Sequence, residues 1–398
     1  MRYLDEPLSR GFTSLYIGHA ITTIAGGLLG IFLPLFLYKL FDGNLLPVLL
    51  YYSASHFLYL FTVMLGAQFL NRFGFRNALR ASVFFGALYY GIFFFVNGET
   101  ALSLLPLTVL VLLLYRLLFW LPYHVDFATF TSRKNRGREL SLMHATVLLI
   151  AAVTPFIAGV IISRFGFDIL FFSAILLYLV SGFAYITIPD TNERFVWGYW
   201  ETWKKFFSHI RSKTLIAYIA DGAEGVVGLI VWPVFIFEIL QGDYFSVGVL
   251  TTLITGAAIA VQLLLGKIID TRVPKETMLW WGSIFYSLGW IIKIFIATAF
   301  EIFVAGAYHS IMGIVARTPI DTLTYEMSAD EGHYVDEFTV LKEMALSVGR
   351  VLMFGAAALL VFFFSVKWVF LLSALVALSF TLFRARDLEV DDTRQLSA

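Results

Sequence analysis

The sequence predicts an all-α integral membrane protein with twelve transmembrane helices in two six-helix bundles. Of its 398 residues, 59% are hydrophobic and only 14% are charged, whereas soluble globular domains have roughly 25% charged residues. Apolar segments of about 20 residues, long enough to cross about 30 Å of hydrocarbon as helices, recur along the whole chain. No stretch of about ten residues alternates in polarity as a membrane β-strand would.

The twelve predicted spans leave few residues outside the membrane, so we expect no separate extramembrane domain. The chain has no cysteine, which excludes disulfides and thiolate metal sites. In chain order, the predicted spans cover residues 12–40, 45–70, 78–97, 101–127, 140–164, 167–188, 214–240, 245–269, 277–298, 300–327, 337–364 and 366–384.

Lysine and arginine are concentrated in alternate loops between these spans. Because cytoplasmic loops carry the excess of both residues, we expect both termini to be cytoplasmic and the protein to lie in the plasma (cell inner) membrane. The net charge is zero and no basic arm is present, so no nucleic-acid partner is expected. The basic loops contain Arg72, Arg76 and Arg80; Arg133, Lys134, Arg136 and Arg138; Arg194, Lys204, Lys205, Arg211 and Lys213; and Lys267, Arg272 and Lys275.

The longest polar gap, residues 189–213, divides the chain into an N-terminal bundle (1–188) and a C-terminal bundle (214–398). Within the gap, "FVWGYWETWKKFFSHIRSK" places aromatic residues on one helical face and lysine and arginine on the other. This pattern predicts an amphipathic helix in the cytoplasmic interface. We interpret the gap as a linker between the bundles.

The two halves of the chain correspond to each other. Shifted by 199 positions, "AQFLNRFGFR" falls on "GKIIDTRVPK"; shifted by 197, Pro122 falls on Pro319; and near 200, "LFFSAILLYL" falls on "VFLLSALVAL". Three matches at about half the chain length predict two parallel repeats.

The first of these stretches resembles the signature of the major facilitator superfamily, Gly-x-Leu-Ala-Asp-Arg-x-Gly-Arg-Lys, in the turn after the second span. Arg72, Gly74 and Arg76 match, while Asn71 stands at the Asp position and Ala67 at the first Gly. The copy after the eighth span retains Gly266 and Asp270. The resemblance implies a cytoplasmic gate made by these residues. The alternative is that the arginines only fix the topology.

Two shorter motifs are also similar to patterns of this superfamily. Arg116 in "LLLYRLLFWLPY" lies where proton-coupled members have an arginine. Pro155 and Gly159 in "TPFIAG" resemble the helix-packing motif associated with antiporters.

Charged and polar residues inside the spans are the strongest indications of a pathway, because each ionised group in hydrocarbon needs a polar environment. By helical spacing, Arg116, Trp120, Tyr123 and His124 share one face of the fourth span, with Asp126 about 80° away. We expect a coupling or anion-binding site here. The alternative is a structural salt bridge.

The seventh span carries Asp221 and Glu224 three residues apart, so that two carboxylates crowd one face. Since like charges oppose each other's ionisation, this arrangement favours a proton carrier, and Glu224 is the better candidate. Gly222, Gly225, Gly228 and Pro233 make the helix easy to bend, and Trp232 is expected to line a cavity.

Other intramembrane groups have both structural and functional interpretations. Arg317 and Asp321, four residues apart, favour a structural pair, with His309 a weaker coupling candidate. Glu343 and Arg350 share one face of the eleventh span and are candidates for the cytoplasmic gate. His19 in the first span is a further coupling candidate.

The resemblance implies a secondary active transporter that moves a small molecule by alternating access, and the residues favour proton coupling and export of amphipathic solutes. A symporter or facilitator for a small organic anion is one alternative. A lipid flippase or membrane scaffold without coupling is the other. No zinc-ligand spacing, nucleophile elbow or phosphate loop indicates an enzyme or a cofactor. The expected partners are the substrate, protons and the lipid bilayer, and we expect a monomer.

Overall fold

In a computed structural model, the chain is described over residues 8–131, 136–191, 194–272, 275–330 and 335–382, without the side chains of residues 128, 136–137, 265–276 and 319–336. All regular structure in these ranges is helical. A π-helical stretch (Val227–Val231) joins α8 to α9, and a 3₁₀ turn (Ser379–Leu382) follows α14. The helices are α1 (Arg10–Leu29), α2 (Phe32–Leu40), α3 (Leu45–Phe73), α4 (Phe75–Phe93), α5 (Ala101–Phe130), α6 (Arg136–Ile186), α7 (Tyr199–His209), α8 (Lys213–Val226), α9 (Trp232–Ile239), α10 (Tyr244–Arg272), α11 (Lys275–Lys293), α12 (Ala299–Asp330), α13 (Val335–Phe363) and α14 (Val366–Leu378).

The protein is an all-α integral membrane protein, as its composition predicted. Its outer surface is apolar: Leu102 is 91% exposed and Leu263 is 78% exposed, as expected for side chains that face lipid. In the described part of the chain, 8 helical segments are long and apolar enough to cross a bilayer: Arg10–Leu40, Leu45–Phe73, Ala101–Phe127, Arg138–Ile186, Lys213–Ile239, Tyr244–Leu264, Ala299–Thr318 and Glu337–Phe363.

Helix α6 is a hairpin of two helical segments. Its 51 residues would extend roughly 75 Å if straight, far more than the bilayer core requires. Gly166 breaks it with φ 81° and ψ −178°, a conformation that glycine adopts without steric penalty. Hydrogen bonds between Tyr16 and Thr146 (2.6 Å) and between Ser14 and Thr187 (2.9 Å) place the first segment of α6 and the residue just after the second segment beside the same part of α1. The chain therefore reverses direction at Gly166.

The turns after α2 and α9 have the same backbone conformation. Asp42 and Gly43 have φ values of 54° and 79°, and Gln241 and Gly242 have values of 55° and 83°; the shift between them is 241 − 42 = 199 positions. In each turn the glycine N–H donates to the carbonyl five residues earlier, at 2.9 Å. The repeat seen in the sequence thus continues in the backbone.

Contacts between helices repeat in the same way. The pairs α1/α6, α3/α5, α4/α5 and α4/α6 in the first half correspond to α8/α13, α10/α12, α11/α12 and α11/α14 in the second. Between the halves, α3/α13 and α6/α10 correspond to each other, and α2/α9 corresponds to itself. Each half therefore has the same packing, and the contacts between the halves are reciprocal.

Two crossings bring helix backbones unusually close through glycine. A Cβ on Gly222 would lie 2.1 Å from the Leu346 carbonyl oxygen, and one on Gly349 would lie 1.8 Å from that of Ile219, so α8 and α13 interlock. At the α6/α10 crossing, a Cβ on Gly159 would lie 2.9 Å from the Tyr244 carbonyl oxygen. Small residues permit this approach where packing between helices stabilises the fold.

The glycines of α8 provide a matched test of this packing. We expect Gly222→Ala to lower the melting temperature in detergent, because overpacking typically costs about 1–3 kcal/mol. Gly225→Ala, three residues away with nothing within 4 Å of its Cβ position, should leave it unchanged or raise it through better helix propensity. Equal effects of the two substitutions would contradict the interlocked α8/α13 crossing.

Candidate functional site

A cluster of ionisable groups lies where α8, α11 and α12 meet; we refer to Asp221, Glu224, Tyr286, Lys293 and Arg317 as the Glu224 cluster. Glu224 is 2% exposed and accepts hydrogen bonds from the Tyr286 hydroxyl and the Arg317 guanidinium. The same guanidinium reaches Asp221 at 2.8 Å. Two carboxylates of α8 therefore share one arginine of α12.

Lys293, at the end of α11, is buried to 1% exposure. Its ammonium lies 3.8 Å from the ring centroid of Trp290 and 4.2 Å from that of Trp232, in favourable cation–π contact. It is also close enough to Glu224 for an electrostatic interaction. Glu224 therefore contacts Arg317 directly and has Lys293 as a second basic group near it.

Aromatic groups close the Glu224 cluster on one side. The His309 ring stacks on Tyr286 with centroids 4.3 Å apart and meets Trp290 edge-on at 4.4 Å. Trp232 contacts Phe370 of α14. The sequence singled out His309 and Trp232 separately, and the structure brings both to this cluster.

The seventh span, which its glycines and proline are expected to make easy to bend, contains a π-helical stretch beside the Glu224 cluster. The π-helical stretch Val227–Val231 begins three residues after Glu224, and such stretches are frequent at functional sites because they redirect side chains. It separates Glu224 from Trp232, so a change in this stretch would alter their spacing.

A second cluster lies where α3, α5 and α13 meet; we refer to Ser55, His56, Tyr59, Arg116 and Arg350 as the Arg116 cluster. Arg116 donates to the Ser55 hydroxyl at 2.9 Å and approaches both His56 ring nitrogens at 3.3 Å. Its guanidinium lies 6.0 Å from the Tyr59 ring centroid. Phe354 of α13 stacks on His56 with ring centroids 6.0 Å apart, and Arg350 lies one helical turn before Phe354. Glu343, two turns further back on α13, is 7% exposed.

The aromatic residues expected around Arg116 form a stack with the first span. The His19 ring lies 4.3 Å from that of Tyr123, and His124 stacks on Trp120 at 5.8 Å. The Nδ1 atom of His19 is buried without a hydrogen-bond partner. These residues extend from α1 to α5 as a largely apolar wall.

Asp126 lies apart from this wall. It is 0% exposed and accepts a 2.5 Å hydrogen bond from Thr191, in the segment that follows α6. This hydrogen bond therefore holds the segment after α6 to the end of α5.

The residues of the first motif copy, around the α3/α4 turn, contact the linker and the segment after α6. Asn71 exchanges two hydrogen bonds with the backbone of Phe195, at 2.8 and 2.9 Å, and Val196 donates to Glu337 of α13 at 3.0 Å. Arg76 pairs with Asp190 at 3.2 Å, and Arg72 is exposed. Gly74 forms the α3/α4 turn with φ 84°.

Three residues named in the sequence analysis lie outside the described side chains. They are Gly266 and Asp270 of the second motif copy, and Asp321, the expected partner of Arg317. Pro155 and Gly159 are described. The Pro155 carbonyl oxygen would lie 2.4 Å from a Cβ on Gly248, so both motif residues form the α6/α10 crossing.

Sequence reasoning missed Lys293, His56 and a contact at the opposite end of the molecule. There Tyr38 donates to Glu238, while the Lys39 ammonium lies 5.6 Å from the Phe237 ring centroid. A lone lysine inside "GWIIKIFI" was the available signal for Lys293, since a buried cation in a span needs a partner. Neither a protein-family model nor a curated protein sequence matches this chain.

A double-mutant cycle tests the coupling between Glu224 and Lys293. We expect Glu224→Gln to lower the melting temperature, because the half-exposed Arg317 and the buried Lys293 lose a negatively charged partner. Lys293→Met should destabilise the wild type more than the Glu224→Gln variant, with a coupling of about 1 kcal/mol or more. As a control, Lys293→Met should combine additively with Asp168→Asn, which changes an exposed residue. Additive effects of Glu224→Gln and Lys293→Met would show that the two groups do not interact.

Proposed function

We propose that the protein is a proton-coupled secondary transporter with the major facilitator architecture of twelve spans. The spans are α1 with α2, α3, α4, α5, the two segments of α6, α8 with α9, α10, α11, α12, α13 and α14. Residues 1–188 and 214–398 would form the two bundles, and 189–213 the linker. Support comes from the repeated turns after α2 and α9 and from the repeated helix contacts.

Alternating access is supported by how the two halves meet. Along α3/α13 and α6/α10 they pack closely, and Gly159 brings the α6 and α10 backbones together. At the ends of α2 and α9 they meet through two reciprocal side-chain contacts, Tyr38 with Glu238 and Lys39 with Phe237. We propose that the close crossings act as pivots and that the tip contacts separate during transport.

The observation that carries proton coupling is the geometry of Glu224, a buried carboxylate that binds Arg317 and Tyr286 and lies near Lys293. When Glu224 is charged, it holds Arg317 of α12 and attracts Lys293 of α11. When it is protonated, its ion pair with Arg317 is lost, while the pair between Arg317 and Asp221 remains. Gain of a proton would thus loosen α12 and α11 from α8, which is the kind of bistable contact that a coupled transporter requires.

The transporter would lie in the plasma (cell inner) membrane with both termini cytoplasmic, as the distribution of Lys and Arg indicates. The expected solutes are amphipathic, and export remains the proposed direction. The aromatic wall of Trp120, Tyr123 and His19 supports a cavity that accepts the apolar part of such a solute.

Spin labels on the cysteine-free chain test proton coupling without a known substrate. Labels are attached at Gly98→Cys and Ala297→Cys, both exposed loop positions. Pulsed electron paramagnetic resonance then measures the distance between the two labels, and hence the separation of the halves. We expect the distance distribution to shift as pH falls. Glu224→Gln, which mimics the protonated form, should show the low-pH distribution at every pH.

The control variant Asp168→Asn should keep the pH response of the wild type. A wild-type distribution that is single and independent of pH would contradict proton-coupled alternating access. A response that persists unchanged in Glu224→Gln would assign it to another group.

A further inference from the structure

Helix α7, in the linker, has one side packed on the protein and another side uncovered. Phe206 is fully buried among residues of α3, α8 and α13, and Thr202, one turn before it, is also buried. On the outer side of α7, Trp200 is 80% exposed and Phe207 is 60% exposed. Exposed aromatic rings that lie together on one side of a helix indicate a surface that something else covers.

The outer side of α7 is also positively charged. Residues 199–213 contain one acid and four bases, which are Lys204, Lys205, Arg211 and Lys213. The acid, Glu201, caps its own helix, because its carboxylate accepts from the Gly198 N–H at 3.2 Å. By helical spacing Lys204 lies between the two exposed rings, and both Lys204 and Arg211 are exposed. The outer side therefore combines aromatic rings with positive charge.

This outer side is continuous with the lipid-facing side of α3. Trp203 stacks on Phe207 with ring centroids 5.5 Å apart and contacts Phe61 of α3 at 5.5 Å. Exposed apolar residues follow one another along α3 at every fourth position: Phe57, Phe61, Leu65, Phe69 and Phe73. Lipid covers such a stripe on a membrane-spanning helix. The ring contacts thus identify lipid as the neighbour of α7.

We propose that the outer side of α7 binds a bilayer surface that contains anionic phospholipids. Trp200 and Phe207 enter the boundary between headgroups and acyl chains, while Lys204 and Arg211 extend to the phosphates. Aromatic rings alone would accept any phospholipid. The excess of positive charge selects headgroups with a net negative charge.

Lipid bound to α7 would act on a segment that contacts both halves of the chain. Immediately before α7, Asn71 of α3 holds the backbone of Phe195, and the Val196 N–H donates to Glu337 of α13. Because α7 continues this segment, lipid that fixes α7 also supports the contact between α3 and α13. Anionic lipid is therefore expected to stabilise the folded chain. This inference does not depend on the proposed transport function.

Lipid titrations of the purified full chain in a nonionic detergent test the charge preference. The probes are phosphatidylglycerol and phosphatidylcholine with identical acyl chains. Native mass spectrometry measures the bound lipid, and thermal unfolding measures its effect on stability. We expect phosphatidylglycerol to bind at least tenfold more tightly than phosphatidylcholine and to raise the melting temperature. Raising the salt from about 0.1 M to about 0.5 M should reduce this preference, because salt screens exposed charges.

Two double variants locate the surface. Lys204→Gln with Arg211→Gln should weaken phosphatidylglycerol binding at least fivefold and leave phosphatidylcholine binding unchanged. The matched control, Lys367→Gln with Arg164→Gln, also removes one lysine and one arginine at exposed positions, each next to an exposed aromatic ring. It should bind phosphatidylglycerol as the wild type does. Size-exclusion profiles and melting temperatures without lipid establish that both variants are folded.

Three results would each overturn the proposal: equal binding of the two lipids by the wild type, unchanged binding of phosphatidylglycerol after the α7 substitutions, or equal weakening by the α7 and control substitutions. A polyglutamate peptide provides the test of a different occupant. If it binds the wild type as tightly as phosphatidylglycerol does, and the α7 substitutions abolish its binding, the surface belongs to an acidic protein and the lipid assignment is wrong.

Discussion

The organisation of this protein depends on the free-energy penalty of placing a charge in hydrocarbon. On insertion scales an ionised side chain at mid-bilayer costs about 2.5–3.5 kcal/mol, so each charge inside the spans needs a partner or a polar space. Arg317 meets two carboxylates of α8, and Lys293 is enclosed by two tryptophans. Arg116 lies against hydroxyl and imidazole groups of α3. Helices that are apolar over most of their surface are thereby held in one register by a few polar contacts.

Glycine gives the helices a second kind of constraint. The α8/α13 crossing is interlocked at Gly222 and Gly349, and the α6/α10 crossing at Gly159, whereas the tips of α2 and α9 meet through side chains. Backbones in contact resist separation more than two side-chain contacts do, because close packing transmits strain instead of absorbing it. In the proposed transport cycle, motion between the halves would therefore be greatest at the tips, with the α6/α10 crossing as a fixed point.

Much of the fold could be predicted from the sequence, because hydrophobic length and repeat spacing are local signals. The predicted boundary between residues 164 and 167 coincides with the break at Gly166. The residues of the candidate site were harder to predict from the sequence. Glu224 stood out by its spacing from Asp221, but its contact with Arg317 depends on how α8 and α12 pack. Lys293 is the last residue of α11, where lysines usually reach the interface, so its burial against two tryptophans could not be read from its position. Helical spacing could not show that Asp126 binds Thr191.

The proposed transport function requires a water-filled space between the two related halves. Gly26 of α1 and Gly225 of α8 test it: they are related by the same repeat (26 + 199 = 225), and a Cβ at either position would have nothing within 4 Å. Cysteines placed there in the cysteine-free chain can be labelled in sealed vesicles with a membrane-impermeant maleimide. We expect both cysteines to react, and from the same side of the membrane. Protection of both positions, or reaction from opposite sides, would contradict a common cavity.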